Sequence, residues 1–473
     1  MSLSILSRHK ALMTENETGT EENVRAFLDS LLAVSKPKAL EAIKYVALKK
    51  KKREMPNATQ HSKPPALQLW DRDAYFPSQA PAPVITMHKL TIGLAIAAFS
   101  RFLQHVYGMH LEAADVCSGE VWHPEVRKVN VRDENGEVVG WIYFDLFNRA
   151  GKPGGACHYT VRCSRRVDLD DAAGDFVHSE PGAFTPQVED GFVLSAEAHE
   201  SKTREGLHQR PVAVIVCDLF QTGFSELKWN DVVTLWHELG HAMHCGWTVL
   251  LFTLDLLAHV SFVVAMIGRT EYGNIAGTRC ATDYVELPSI LMEHFLTSPD
   301  VLSLFFEKPV AYEHNPLHTE PRLARINSHT HVLLASLDQH YHASLAPLDA
   351  NYSSTDELRR VQQAEGVLPF AEGTYWQAQF DHLFGYGASY YSYLFDRAIA
   401  TRVWRQIFQD APLDRASGER LRRALAYGGG KDAWEIVAEL LEMPQLAEGG
   451  SEAMKEVGRW GVQEDVASEG PLA

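Results

Sequence analysis

The chain has 473 residues, 45% of them hydrophobic and 22% charged, and a formal net charge of −17. That is enough chain for a large core and two or three domains, with the composition of a soluble globular protein. The acidic balance argues against nucleic acid or an anionic membrane as the main partner, and six cysteines without a C-x-x-C pair point to reduced thiols.

Residues 1–65 read as a polar, partly helical region. Val24–Val34 and Ala39–Leu48 are two amphipathic runs, followed by the basic cluster Lys49–Arg53, which reads as a solvated helix end. The first residues lack a long apolar run and soon meet Glu15, Glu21 and Glu22, so neither a signal peptide nor a transit peptide is expected there. After the breakers Pro77, Pro81 and Pro83, a helix is predicted over Leu90–Tyr107, stopped by Gly108.

A β region follows. Strands are expected at Val126–Val131 and Val138–Phe147 around an Asn135-Gly136 turn, then at Tyr159–Cys163 and Val212–Val216, forming a small antiparallel sheet. Gly151-Lys152-Pro153-Gly154-Gly155 lacks the Gly-Lys-Ser/Thr of a phosphate loop and reads as a turn.

The chemistry concentrates at His237-Glu238-Leu239-Gly240-His241, an H-E-x-x-H sequence. On a helix, residues four apart share a face, so both imidazoles can grip one metal ion. Catalytic zinc takes three protein ligands and one open position, and Glu238 can take the proton of a water there. Asn230 is a candidate N-cap for that helix. A metzincin would need Gly and His where His244 and Trp247 stand, so the third ligand comes from elsewhere. The best candidate is Glu286, in a predicted helix that Thr282 or Asp283 can cap, with Pro288 tolerable only near its first turn. Glu293, on the same face, can orient a ligand imidazole.

Between them lies the apolar run Gly246–Ala265, whose length approaches a membrane span. Its ends are tethered within one proposed metal site, so spanning is not expected. Helices broken by prolines follow over residues 299–365. Then comes His382-Leu-Phe-Gly-Tyr386-Gly-Ala-Ser-Tyr390-Tyr-Ser-Tyr393, whose tyrosines, four and three apart, can line one helix face. From Ala447 the Gly- and Glu-rich tail reads as disordered.

H-E-L-G-H-A-M-H, Gly277–Glu293 and Y-G-A-S-Y-Y-S-Y-L together resemble the thimet oligopeptidase family of zinc peptidases, and most of all its mitochondrial intermediate peptidase branch. The resemblance runs from about Leu69 to about Met443. It implies a mainly α, zincin-like (gluzincin) fold with a truncated helical lid. The expected division is a partial lid at 1–65, a catalytic domain at 66–445 with an atypical insertion at 246–265, and a tail at 446–473. One zinc ion held by His237, His241 and Glu286 is implied, with Glu238 as base. Tyr390 and Tyr393 would serve the oxyanion, while His382 and Tyr386 would contact substrate. The interval from His241 to Glu286 exceeds the family's by about the length of 246–265.

The expected function is hydrolysis of peptide bonds, either removing N-terminal octapeptides from imported mitochondrial precursors or degrading short peptides. The insertion and the short lid leave a catalytically impaired remnant as the rival. Peptides or precursor proteins are the expected partners, and a monomer is expected. The matrix is implied by the resemblance; the cytoplasm is the alternative, given the N-terminus.

Overall fold

The structure is a computed structural model that describes residues 19–57, 59, 62–75, 90–152, 154–165, 192–195, 206–219, 227–244, 266–276, 280–306, 321–342, 352–380, 382–385 and 387–462. Its main helices are α1 (Glu21–Glu54), α2 (Ile92–Tyr107), α3 (Trp229–His244), α4 (Leu287–Phe295) and α5 (Pro321–His342). They continue with α6 (Ser354–Glu365), α7 (Tyr391–Val403), α8 (Arg415–Ala426), α9 (Ala433–Leu441) and α10 (Gly450–Trp460). The strands are β1 (His110–Ala114), β2 (Arg127–Arg132), β3 (Val138–Phe147), β4 (Cys157–Arg162), β5 (Phe192–Ser195), β6 (Gly206–Gln209) and β7 (Val212–Leu219). The described residues are mainly helical, with a small five-stranded sheet and a two-stranded pair of β5 and β6, as expected of a zincin-like architecture.

The two amphipathic runs near the N-terminus are one helix, α1, which continues through Pro37. Thr20 caps it by accepting the N–H of Asn23, and Lys51, Lys52 and Arg53 sit in its last turn, where cations favour the helix dipole. Lys50 is instead buried, donating to the Asp71 carboxylate at 2.8 Å and to the Ala66 carbonyl at 2.9 Å. Val24, Phe27, Leu28 and Leu31 bury the first half of α1 in the main core, against α10. Ala42, Ile43 and Val46 pack the second half against α5.

The five-stranded sheet has the order β1-β2-β3-β7-β4. It is mixed rather than antiparallel throughout, because β3 and β7 run parallel, with Trp141 opposite Val212 and Phe144 opposite Ile215. β4 returns antiparallel to β3, and β7 later inserts between them; pairing antiparallel with β4 forces it parallel to β3. The β2–β3 hairpin closes where Asn-Gly predicted it, with Asp133 Oδ1 accepting the N–H groups of Asn135 and Glu137.

Ile142 and Phe144 of β3, with Ala213, Ile215 and Cys217 of β7, face the core. α3 packs against β7 and β4 on one side and against α4 on another. Trp236 anchors it: the indole is fully buried, stacks on Phe305 at 5.4 Å and meets Phe99 edge-on at 5.1 Å. This packing fixes the rotation of α3, and hence which way its histidines face.

The tail departs from expectation. Gly450–Trp460 is the helix α10, which packs on α1 and α7 and buries Ala453, Met454 and Val457. The overall Gly and Glu content of that region concealed this short apolar stripe. Residues 463–473 and the apolar run 246–265 lie outside the described residues. Among the described residues, no helix is long and apolar enough to cross a membrane.

Candidate active site

α3 starts at Trp229, one residue before the expected cap, and Asp231 in its first turn accepts the N–H of Lys228 at 2.8 Å. Helical spacing then brings His237 and His241 together edge-to-face, with ring centroids 4.9 Å apart. α4 crosses close to them at Gly240. A Cβ there would lie 2.8 Å from both the Met292 Cγ and the Ser289 Cα, so only glycine allows this approach.

The crossing delivers Glu286. It stands at the N-cap position of α4 rather than within the helix, with Pro288 in the first turn. Its Oε2 is 3.4 Å from His237 Nε2 and 3.2 Å from His241 Nε2. Among the described residues, His237, His241 and Glu286 each offer a ligand atom, all within 4.8 Å of one another. Neighbouring ligands on a tetrahedral zinc with bonds of about 2.0–2.2 Å are about 3.3–3.6 Å apart, so this donor set fits the ion.

A second set of contacts orients these side chains. Glu293 Oε1 is 2.9 Å from His237 Nδ1. An ionised carboxylate only accepts, so Nδ1 carries a proton and Nε2 is the ring atom that faces Glu286. Burial opposes charge on Glu293, yet Arg397 and His237 outweigh it and hold its pKa below the ordinary carboxylate range. Burial likewise disfavours a proton on His237, but Glu286 and Glu293 raise its pKa on balance; the same field favours a cation there. The Glu286 carboxylate accepts from the Ser289 hydroxyl at 2.9 Å, and its N–H donates to Asp396 Oδ2 at 2.8 Å. Glu238 is buried, and burial raises its pKa against the pull of both histidines.

His382, Tyr390 and Tyr393 form one aromatic group. The His382 ring lies 5.7 Å from that of Tyr390 and 6.0 Å from that of Tyr393, and the two tyrosines are 5.6 Å apart. Tyr386 lies outside the described residues. Tyr390 is the N-cap of α7 and Tyr393 lies in its first turn. The same helix carries Asp396, which holds the Glu286 main chain, and Arg397, which donates to Glu293 Oε2 at 3.4 Å. One helix thus joins the aromatic group to the cluster of His237, His241 and Glu286.

Ser289, Asp396 and Arg397 were missed from sequence. Ser289 follows Glu286 by one helical turn, and Asp396 follows Tyr393 likewise, which is the signal that spacing could have given.

The sequence profile of Peptidase family M3 matches residues 7–249 and 262–456. The chain belongs to Peptidase family M3. The family match breaks within the apolar run that separates His241 from Glu286 in sequence. The chain is 44% identical over 463 residues to a protein of Laccaria bicolor named mitochondrial intermediate peptidase, covering 95% of this chain and 56% of that one. It is 44% identical over 470 residues to the protein of that name from Pleurotus djamor, covering 97% and 56%. The chain thus spans little more than half the length of these relatives. A solved structure, PZ peptidase A with inhibitor 2, aligns with a TM-score of 0.49 at 14% identity, covering 93% of this chain and 58% of that one.

Proposed function

We propose that this chain is a zinc-dependent peptide-bond hydrolase. The observation that carries the reading is the convergence of His237, His241 and Glu286, with the buried Glu238 beside the first histidine. These three residues would hold one zinc ion, which when bound polarises the scissile carbonyl. Glu238 accepts a proton from the attacking water and passes it to the leaving nitrogen; its burial-raised pKa suits both transfers. Tyr390 and Tyr393 donate to the developing oxyanion, and His382 and Tyr386 contact the substrate. β4 ends the five-stranded sheet, so an extended peptide can add to it by main-chain pairing.

The relatives' name supports a finer reading, in which the substrates are N-terminal segments of mitochondrial precursor proteins and the site of action is the matrix. The experiment measures zinc per chain together with cleavage of quenched peptides, both precursor N-termini and unrelated short sequences. One zinc per chain and chelator-sensitive cleavage, lost in Glu238→Gln, is the expected result. Cleavage of unrelated peptides at equal rates would replace the precursor reading with general oligopeptide turnover. One bound zinc with no turnover would leave a non-catalytic remnant.

A further inference from the structure

We propose that Asp338, with Gln339 and His342 on the same helix, is the clamp that sets the conformation of the loop presenting Tyr390 and Tyr393. Asp338 is fully buried in α5. One carboxylate oxygen accepts the N–H of Ala388 at 3.0 Å and the other accepts the N–H of Tyr390 at 3.0 Å. The side-chain amide of Gln339 donates to the Ala388 carbonyl at 2.9 Å. Both main-chain groups of Ala388 are therefore held by one helix, from residues far away in sequence.

Ala388 is the residue that needs holding. Its φ is +67°, in the left-handed region that residues with a Cβ avoid unless the surroundings impose it. The clamp also fills the space beneath the loop. His342 pairs with Asp338 at 2.9 Å, and its Nε2 lies where a Cβ on Gly387 would come within 2.4 Å. A buried carboxylate is costly unless its oxygens are satisfied, and here two amides and an imidazole satisfy them. The hydrogen bonds between them thus offset both the strain at Ala388 and the burial of Asp338, and do so only in this loop conformation. In it, Tyr390 starts α7, with Tyr393 one turn on beside the His382 ring.

Asp338 is a positioning residue: it acts on the tyrosines through the main chain. Its catalytic consequence rests on the hydrolytic reading above, whereas the clamp itself does not. The test compares the wild type with Asp338→Asn, which replaces one accepting oxygen by an NH2 facing an N–H. Three quantities are read: hydrogen exchange at the Ala388 and Tyr390 amides, zinc content, and kcat and KM on a quenched peptide. Faster exchange at those two amides, with zinc content unchanged, supports the clamp whether or not the wild type turns over peptide. Unaltered exchange overturns it.

If the wild type is active, kcat falls by about 10²-fold, the cost of misplacing catalytic groups by about 1 Å, while KM holds. Adding Ala388→Gly, which reaches the same φ without help, restores part of the lost kcat; a double variant no faster than Asp338→Asn overturns the positioning role. Should Asp338→Asn fail to melt cooperatively, Gly387→Ala replaces it. The added Cβ displaces the loop from His342 and must speed exchange at Ala388 and Tyr390; unaltered exchange there overturns the clamp.

Discussion

The main-chain N–H of Ile267 donates to the carbonyl of Met243 at 3.1 Å. Ile267 therefore lies beside the last turn of α3. If Cys245 were joined to Met266, Ile267 would follow Met243 by four positions, and this bond would have the register of an α-helical turn. The family match breaks in the same stretch. Deleting residues 246–265 is therefore expected to leave zinc stoichiometry and cooperative melting intact. Metal analysis and calorimetry of the deletion variant check this. Loss of zinc would show that the stretch supports the site.

The contact between Glu293 and His237 predicts a graded loss of metal. Glu293→Ala removes the acceptor that fixes the imidazole and is expected to weaken zinc binding by about 10–100-fold, the usual effect of losing such a partner. Arg397→Ala, one step further out, is expected to weaken it less. Competition with a chelator of known affinity measures both. Equal affinities across the series would remove Glu293 from the role given to it.

Gly240 predicts a coupled loss of stability and metal. A Cβ at that position meets Ser289 and the Pro288 carbonyl, both in the turn that carries Glu286. Gly240→Ala is expected to cost about 1–3 kcal/mol through overpacking. It should also lower zinc affinity, because α4 must move away from α3. Denaturant melts and metal titration of one variant test this together; a destabilised protein with unchanged affinity would show that Glu286 tolerates the shift.

Acid is expected to loosen the sheet region. Glu120 accepts from Lys128, Tyr143 and the Cys117 N–H, which lower its pKa from 4.5 to about 2. Burial works against charge on Asp145, but Arg149, Trp122 and Lys152 outweigh it and hold its pKa below the ordinary value. Both folded pKa values lie below the unfolded ones. The stability they contribute is therefore complete above the ordinary carboxylate range and is lost as pH falls toward about 2. Glu120→Gln and Asp145→Asn should flatten the fall in melting temperature between about pH 4.5 and 2. An unchanged slope in the double variant would count against this assignment.

Much of this protein was legible from local rules. Spacing of four on a helix pairs His237 with His241. Apolar periodicity and Gly108 gave α2, and Asn135-Gly136 gave the β2–β3 hairpin. Each depends only on residues close in sequence. The third ligand was inferred from what the metal requires and from family resemblance, and its partners were not visible at all. Asp396, Arg397 and Asp338 reach their targets only because α7 and α5 pack where they do, and a carboxylate on a helix reads in sequence as an ordinary surface charge. The parallel β3–β7 pair and the docking of α10 on α1 were hidden for the same reason. The sequence by itself determined which atoms can bind a cation and which segments coil or pair. Only the tertiary structure decided which buried charges meet, because that depends on helix crossings set by side-chain packing between residues far apart in the chain.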